Sequence, residues 1–274
     1  GRPPRTRSPW EILSGWHEAE LSIAACRRAG REGISIGCVA GAASDITELS
    51  ATSYGGFRKT DFHMVGMISE LKVTYELLNK LAHLVRTDSI IHAYYNPIYG
   101  GMCGGPEGMA VLEVAGMILL QMVFMASTHS GSPTHPFMVC NSTPDILWQL
   151  SLYSQALARN SHLMTTFNST IVGGPGTKNC LYESAAGAIT GTVSGITKLM
   201  GPRPSTGARV AECSGLEARF FAEVAHAASG ISREEGGRLV RYLLDKYEAD
   251  LPKGPQGQRF DEVYDLHTLK PKPH

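Results

Sequence analysis

Side chains able to do chemistry are sparse in this sequence, and those present cluster at the ends of short apolar runs. Tyr94, Tyr95 and Asn96 close the run 89–95, Gly37 and Cys38 fall inside 33–40, Asn141 follows 136–140, Asn168 follows 162–167, and Glu212 and Cys213 end 207–212. Amides, phenols and a single carboxylate suit the holding and orienting of a small polar molecule. None of these ends carries a lysine or a pair of carboxylates, which argues against aldolase-type or lyase-type chemistry. Cys38, Cys213 and His92 are thiolate or zinc-ligand candidates, but their spacing matches no compact ligand set, so no metal site is predicted. Gly173-Gly-Pro-Gly-Thr-Lys178 lacks the phosphate-loop spacing and reads as a strand-to-helix connection.

The elements that must position these residues alternate. Ser8-Pro-Trp-Glu11 opens a helix to about Arg28, with serine as cap, proline at its first position and an early acid. Residues 33–40 form a β-branched run bounded by glycine, and a polar connection extends to about Thr60. Leu71, Tyr75, Leu78 and Leu81 recur at helical spacing, with Glu70, Lys72, Glu76 and Lys80 on a solvated side. Strands at 89–95, 136–140, 162–167 and 207–212 are followed by helices at 109–127, 144–158, 179–199 and 215–228, then 232–247. The segment 263–269 reads as a short strand or an extended arm. The carboxylates Glu183, Glu217 and Glu223, with Arg219, lie on helices and read as solvated faces. Five strand-then-helix units require a parallel sheet, because parallel strands need long crossovers. Rhythm alone suits a barrel and an open doubly wound sheet equally.

Longer motifs separate the two. Asn96-Pro-Ile-Tyr-Gly-Gly101, the Gly174-Pro175 turn, Asn179-Cys-Leu-Tyr-Glu-Ser-Ala-Ala186, Gly215-Leu-Glu-Ala-Arg-Phe-Phe-Ala-Glu-Val-Ala225 and Phe260-Asp-Glu-Val-Tyr-Asp265 keep the order and approximate spacing of one family. Together they resemble the monomethylamine methyltransferases, TIM-barrel enzymes that pass a methyl group to a corrinoid protein. The resemblance implies a TIM-type (β/α)8 barrel, incomplete here, with the first strands contributed by an N-terminal portion outside this chain. That expectation fits a chain opening at Gly1 rather than methionine. It divides the chain into a basic Pro/Arg-rich tail (1–7), a partial barrel (8–250) and a C-terminal extension (251–274).

The same resemblance implies a reaction. Aligned without gaps, the position of the family's pyrrolysine falls on Gly37, and its supporting polar side chains fall on Met64, Tyr94 and Asn168. Two carboxylates and an amide are expected there, so only Asn168 keeps its character. Gly37, Asn168 and Tyr94 are thus the catalytic candidates, and Met64, Asn96, Asn141 and Glu212 the substrate-binding ones. The implied partners are a small methylated amine and a corrinoid protein that carries the cobalamin-type cofactor, with none bound directly by this chain. A cytoplasmic homo-oligomer with a role in methanogenesis is implied as well. Where the electrophile is absent, a quaternary amine held over Tyr94, Tyr95 or Tyr99 is an alternative donor, since aromatic faces attract such cations. Strand alternation sends Tyr94 and Tyr95 to opposite faces, so at most one can serve. A non-catalytic relative retaining the corrinoid-protein docking surface is the other alternative.

Bulk properties exclude little but agree. With 274 residues the chain can bury one large core. Lysine plus arginine equals aspartate plus glutamate at 25 each, which gives no field attracting nucleic acid or an anionic membrane. Six dispersed cysteines without a C-x-x-C pair suit a reducing compartment. The apolar window 109–126 approaches a membrane span in length, but Glu113 and Gln121 interrupt it and a helix on a sheet explains it better.

Overall fold

The computed structural model describes residues 8–37, 44–67, 69 and 71–273. It resolves into two compact units, one built on residues up to Tyr95 with Gly116–Ser130, the other on Asn96–Ala115 and Gly131 onward.

In the first unit, helix α1 (Pro9–Arg28) begins as its sequence predicts, with Pro9 in the first turn, Glu11 behind it and Arg27 and Arg28 in the last turn. The Ser8 side chain makes no capping hydrogen bond, so the start rests on proline and the helix dipole. Helix α2 (Asp45–Ala51) is capped by Ser44. Strand β1 (Phe62–Met67), helix α3 (Tyr75–Arg86) and strand β2 (Ile90–Tyr95) follow. Strands β1 and β2 are parallel, with Met64 opposite His92 and Gly66 opposite Tyr94.

Strand β1 lies between the predicted connection ending near Thr60 and the helical spacing from Leu71, where the sequence pattern predicts no element, and the predicted strand 33–40 is not one over its described part. Residues 33–37 are irregular, and 38–43 lie outside the described residues. Ile36 is nonetheless tied to the start of β1. Its carbonyl accepts from the Phe62 amide at 2.9 Å, and its amide donates to the Asp61 carboxylate at 2.8 Å.

The face of β1 turned to the helices carries an unexpected ionic cluster. The fully buried His63 ring meets Glu48 of α2 at 2.6 Å through Nδ1 and the Arg58 carbonyl at 2.8 Å through Nε2. Lys80 of α3 reaches the other Glu48 oxygen at 3.1 Å. The sequence spacing puts Lys80 on the solvated side of its helix, yet it is 1% exposed, because the carboxylate it neutralises is itself inside.

Helix α4 (Pro106–Phe124) spans the boundary between the units and is long and apolar enough to cross a membrane by length and composition. Its Glu113 is fully buried, faces Gln149, and is pushed well above the usual carboxylate range by burial. Strand β3 (Thr128–Gly131) is four buried residues long. The strand expected at 136–140 is instead a tight turn. The His135 Nδ1 accepts the Phe137 and Met138 amides there, Phe137 is 90% exposed, and Val139 has φ 52°.

The second unit continues with α5 (Pro144–Asn160), β4 (Thr165–Thr170), α6 (Lys178–Ser194) and β5 (Lys198–Arg203), with β4 and β5 parallel. Next come α7 (Gly215–Ala228), α8 (Arg233–Tyr247) and the short α9 (Phe260–Val263). The strand expected at 207–212 lies at 198–203 instead, where Gly201 and Pro202 hide it from a propensity reading. Beyond α8, the 254–258 strap lies along the β4–α6 loop: the Gly174 amide donates to Gln256 at 2.6 Å and the Gln258 amide to Pro175 at 3.0 Å. The segment 263–269 is a turn closed by a bridge between Tyr264 and Pro271.

Strand order is β1-β2-β3-β4-β5, the order in the chain, without the reversal that defines a doubly wound sheet. One face of each strand pair meets helices: His63 meets α2 and α3, Tyr95 packs on Gly116 of α4, and Phe167 and Ser169 pack on Gly187 of α6. Sequential parallel strands with helices on a single face make a barrel-type α/β fold, of which the described residues carry five strands where a complete barrel has eight.

Candidate active site

A barrel keeps its reactive groups at the C-terminal ends of its strands, on the side turned away from the helices. In the first unit Phe62, Met64, Gly66, His92 and Tyr94 share it by register. Tyr94 is half-buried and its ring covers Gly66, so closely that a Cβ there would stand 2.3 Å from the ring. Glycine is therefore the residue that lets the phenol lie flat on the sheet. The Phe62 ring meets His92 edge-on at 6.3 Å, and His92 Nδ1 bonds the Thr128 hydroxyl of β3 at 2.5 Å. Met64 and Tyr94, both matched to polar positions in the resemblance, thus stand on one face, diagonal to one another. Tyr95 points the other way, fully buried under α4 with its hydroxyl on the Ser69 carbonyl at 2.9 Å. Alternation separates the two tyrosines as predicted.

Gly37 lies at the exposed end of the irregular segment 33–37, and a Cβ built on it meets nothing within 4 Å. Space for a side chain exists there. Cys38 lies outside the described residues.

In the second unit Asn168 is on β4, two residues before the strand ends, on the face opposite Phe167 and Ser169. Asn141 comes to it from the turn just before α5, not from a strand end, and binds backbone with both amide atoms. Its Nδ2 donates to the Asn168 carbonyl at 2.8 Å and its Oδ1 accepts the Thr170 amide at 2.7 Å. Its own amide donates to the Thr170 carbonyl at 2.9 Å, so Asn141 extends the β4 ladder with one side chain. Asn141→Ala would strand the buried Thr170 amide. The expected cost is about 1–3 kcal/mol, read by urea denaturation, and Asn141→Asp, which keeps the acceptor, should recover part of it.

Asn96 is half-buried just after β2. Tyr99 stacks on His135 at 5.9 Å and donates its hydroxyl to Asp145 at 2.8 Å. Glu212 is 6% exposed, but nine residues past β5 rather than at a strand end. It accepts the Ser205 hydroxyl and pairs with Arg209 at 3.4 Å, which binds it into the loop leading to α7.

Two groups were missed by sequence reading. Arg203, at the end of β5, donates through Nε and Nη2 to the Thr170 hydroxyl at 3.1 and 2.8 Å. Glu183, which its helix pattern places on a solvated face, is 1% exposed. Its carboxylate accepts the Ser142 hydroxyl at 2.5 Å and the Val172 and Gly173 amides at 2.8 Å each. The Tyr247 hydroxyl completes the cluster by donating to the Ser142 carbonyl at 2.6 Å. Burial pushes the Glu183 carboxyl above its ordinary range despite these donors. A lone acid in the small-residue helix Ser184-Ala-Ala-Gly-Ala188 was the available signal, since such helices pack closely on both sides. Glu217 is also buried, as the N3 partner of a capping box with Ser214, while Glu223 pairs with Arg219 at 2.7 Å on an exposed face. Among the described residues no cluster of three or more His, Cys, Asp or Glu is arranged to hold a metal ion.

The family model of monomethylamine methyltransferase MtmB matches residues 1–274. The chain belongs to that family. Monomethylamine methyltransferase MtmB2 of Methanosarcina acetivorans is 31% identical over 271 residues, 99% of this chain and 59% of that protein. The crystal structure of the Methanosarcina barkeri monomethylamine methyltransferase superposes with a TM-score of 0.94 at 30% identity, covering 98% of this chain and 59% of the other. A crystal structure of the hydroxylamine MtmB complex gives 0.93 at 30% identity, over 97% and 58% of the two chains. The chain therefore spans about three fifths of the length of the relatives it matches. Its strand order and one-sided helices are those of a TIM-type barrel.

Proposed function

We propose that this chain is part of a methyltransferase that moves a methyl group from a small methylated amine to the cobalt of a corrinoid carried by a separate protein. The observation that supports this most is the end-to-end match to one family, in sequence and in backbone. In the transfer the carbon leaves nitrogen, which keeps the bonding pair, and a bond to cobalt forms. The corrinoid supplies the nucleophile. This chain's part is to hold the amine with one methyl in line, a positional contribution that is large when reacting atoms are held at near-attack distance. Asn168, Tyr94, Met64 and Asn96 are assigned to that task, with Asn141 fixing the strand that carries Asn168 and Glu212 holding the loop that leads to α7. Gly37 marks the place of the family's electrophile. By the same resemblance the protein acts as a cytoplasmic homo-oligomer.

One observation favours a quaternary amine over monomethylamine. Among the described residues, the open face of β1 and β2 offers Phe62, Met64, His92 and Tyr94 and no carboxylate, and Gly37 has no side chain to form an adduct. A quaternary amine needs no adduct, because a neutral tertiary amine departs when its methyl group is transferred, and it gains about 0.5–2 kcal/mol from each well-placed aromatic face. The test is methyl transfer to reduced corrinoid protein from monomethylamine, trimethylamine and tetramethylammonium, followed by the cobalt absorbance. Tetramethylammonium is expected to turn over best, and Tyr94→Leu to lower its kcat/KM by about 2- to 30-fold, the range that one such contact spans. Preference for monomethylamine would reject the quaternary reading. Absence of turnover with every donor would reject methyl transfer and leave a docking relative.

A further inference from the structure

A cavity of about 250 Å³ opens between α5, α6 and α8. Its walls are mostly apolar: Leu147 and Trp148 from α5, Val193 from α6, and Val240 and Leu244 from α8. Trp148 is 47% exposed. A large aromatic left half in solvent beside a cavity is a contact surface in waiting.

Two features of α8 make this more than a packing gap. The first is the pair Gly236-Gly237 in the interior of the helix, where each glycine costs about 1 kcal/mol relative to alanine. Gly236 is explained by packing, because a Cβ there would stand 2.9 Å from Val193. Gly237 is not. A Cβ at that position would meet only the Arg241 Nη1, at 3.7 Å, an ordinary contact that any side chain tolerates. What the glycine keeps is open volume, and the volume is the cavity.

The second feature is charge. Arg233 and Arg241, two turns apart on the same helix face, both line the cavity. Among the described residues neither has an ion pair with a carboxylate, although Asp245 lies one turn beyond Arg241. Arginine recognises carboxylates, sulfonates and phosphates through its planar fork of donors. The Ser194 and Ser151 hydroxyls, bonded to each other at 3.0 Å, add polarity at the opposite wall.

We infer that the α5–α6–α8 cavity binds a small organic anion with an apolar body, its head between Arg233 and Arg241 and its body against Trp148 over Gly237. This site is separate from the strand-end residues assigned to methyl transfer and does not depend on that assignment. Its volume suits a ligand of about ten heavy atoms, below the range of drug-sized pockets.

Octanoate is the probe, with octylammonium as the control of opposite charge and acetate as the head without a body, each titrated into the protein by calorimetry and by tryptophan fluorescence. Saturable octanoate binding is expected, at least tenfold tighter than octylammonium or acetate. Arg241→Gln should weaken it about tenfold, and Trp148→Phe should abolish the fluorescence change while calorimetric binding persists. Gly237→Leu fills the cavity with a better helix former. It should melt no lower than the parent protein and yet lose binding, which separates occlusion from unfolding. Equal affinity for octanoate and octylammonium, octanoate binding unchanged in Gly237→Leu, or no saturable binding of octanoate would each overturn the assignment.

Discussion

Replacing Glu48 by alanine is expected to cost about 3–5 kcal/mol of folding stability, the penalty for leaving a buried charge without its counter-ion. The residues left behind are His63 and Lys80, both buried, which Glu48 meets at 2.6 and 3.1 Å. Burial by itself would raise the Glu48 carboxyl, but the His63 hydrogen bond and the Lys80 charge outweigh it and hold the carboxyl below 4.5. Lys80 moves the same way for a different reason, since burial lowers its ammonium more than Glu48 can restore. The sign for pH follows from Glu48. Its folded-state value lies below its unfolded one, so the stability it contributes is fully present above pH 4.5 and is lost as pH falls through the folded value. Urea denaturation at pH 7 and pH 4 would check both statements. The double variant Glu48→Gln/Lys80→Met should recover most of the loss at pH 7, because apolar or neutral replacement of a whole buried pair is close to neutral. A Glu48→Ala cost under 1 kcal/mol would show that the cluster is no anchor for β1.

The second large effect is expected at Glu183. Alanine there leaves the Val172 and Gly173 amides and the Ser142 hydroxyl inside the protein with no acceptor. At roughly 1–3 kcal/mol for each buried unsatisfied donor, a loss of about 3–5 kcal/mol is expected after partial relaxation. The consequence extends beyond stability. Ser142 is the neighbour of Asn141, whose amide fixes Asn168 and Thr170, so the rim of β4 should loosen with it. Hydrogen exchange at Thr170, Val172 and Gly173 would report this directly, with protection lost in Glu183→Ala and partly kept in Glu183→Gln. Unchanged exchange at these amides would separate Glu183 from the rim. Tyr247→Phe, which removes only the hydroxyl bonded to the Ser142 carbonyl, should give a smaller effect in the same direction.

Helices were far easier to read than strands. Pro9–Arg28, Pro144–Asn160, Gly215–Ala228 and Arg233–Tyr247 begin and end within a few residues of where caps, prolines and periodicity place them. Their signals are local, carried by the first and last turn. Of the five strands, β2 and β4 were found, β4 displaced by a few residues. Strand β1 escapes because His63 and Gly66 break its apolar alternation, one buried through its hydrogen bond to Glu48 and the other needed beneath Tyr94. Strand β3, Thr-His-Ser-Gly, has no apolar residue at all. Strand identity depends on the neighbours that supply hydrogen bonds and cover, which a linear pattern does not contain.

The sequence by itself determined the family, the alternating α/β character and the opposite facing of Tyr94 and Tyr95, since each is a matter of residue type, order or period. Tertiary structure alone decided which charged groups are inside. Glu48, Lys80 and Glu183 are polar by composition and internal by position, and what reverses the usual preference for water is a partner at hydrogen-bond distance contributed by a distant part of the chain. It also decided that Asn141 supports a strand and Glu212 a loop. Burial of a charge is a property of the pair, and only folding brings the two halves of the pair together.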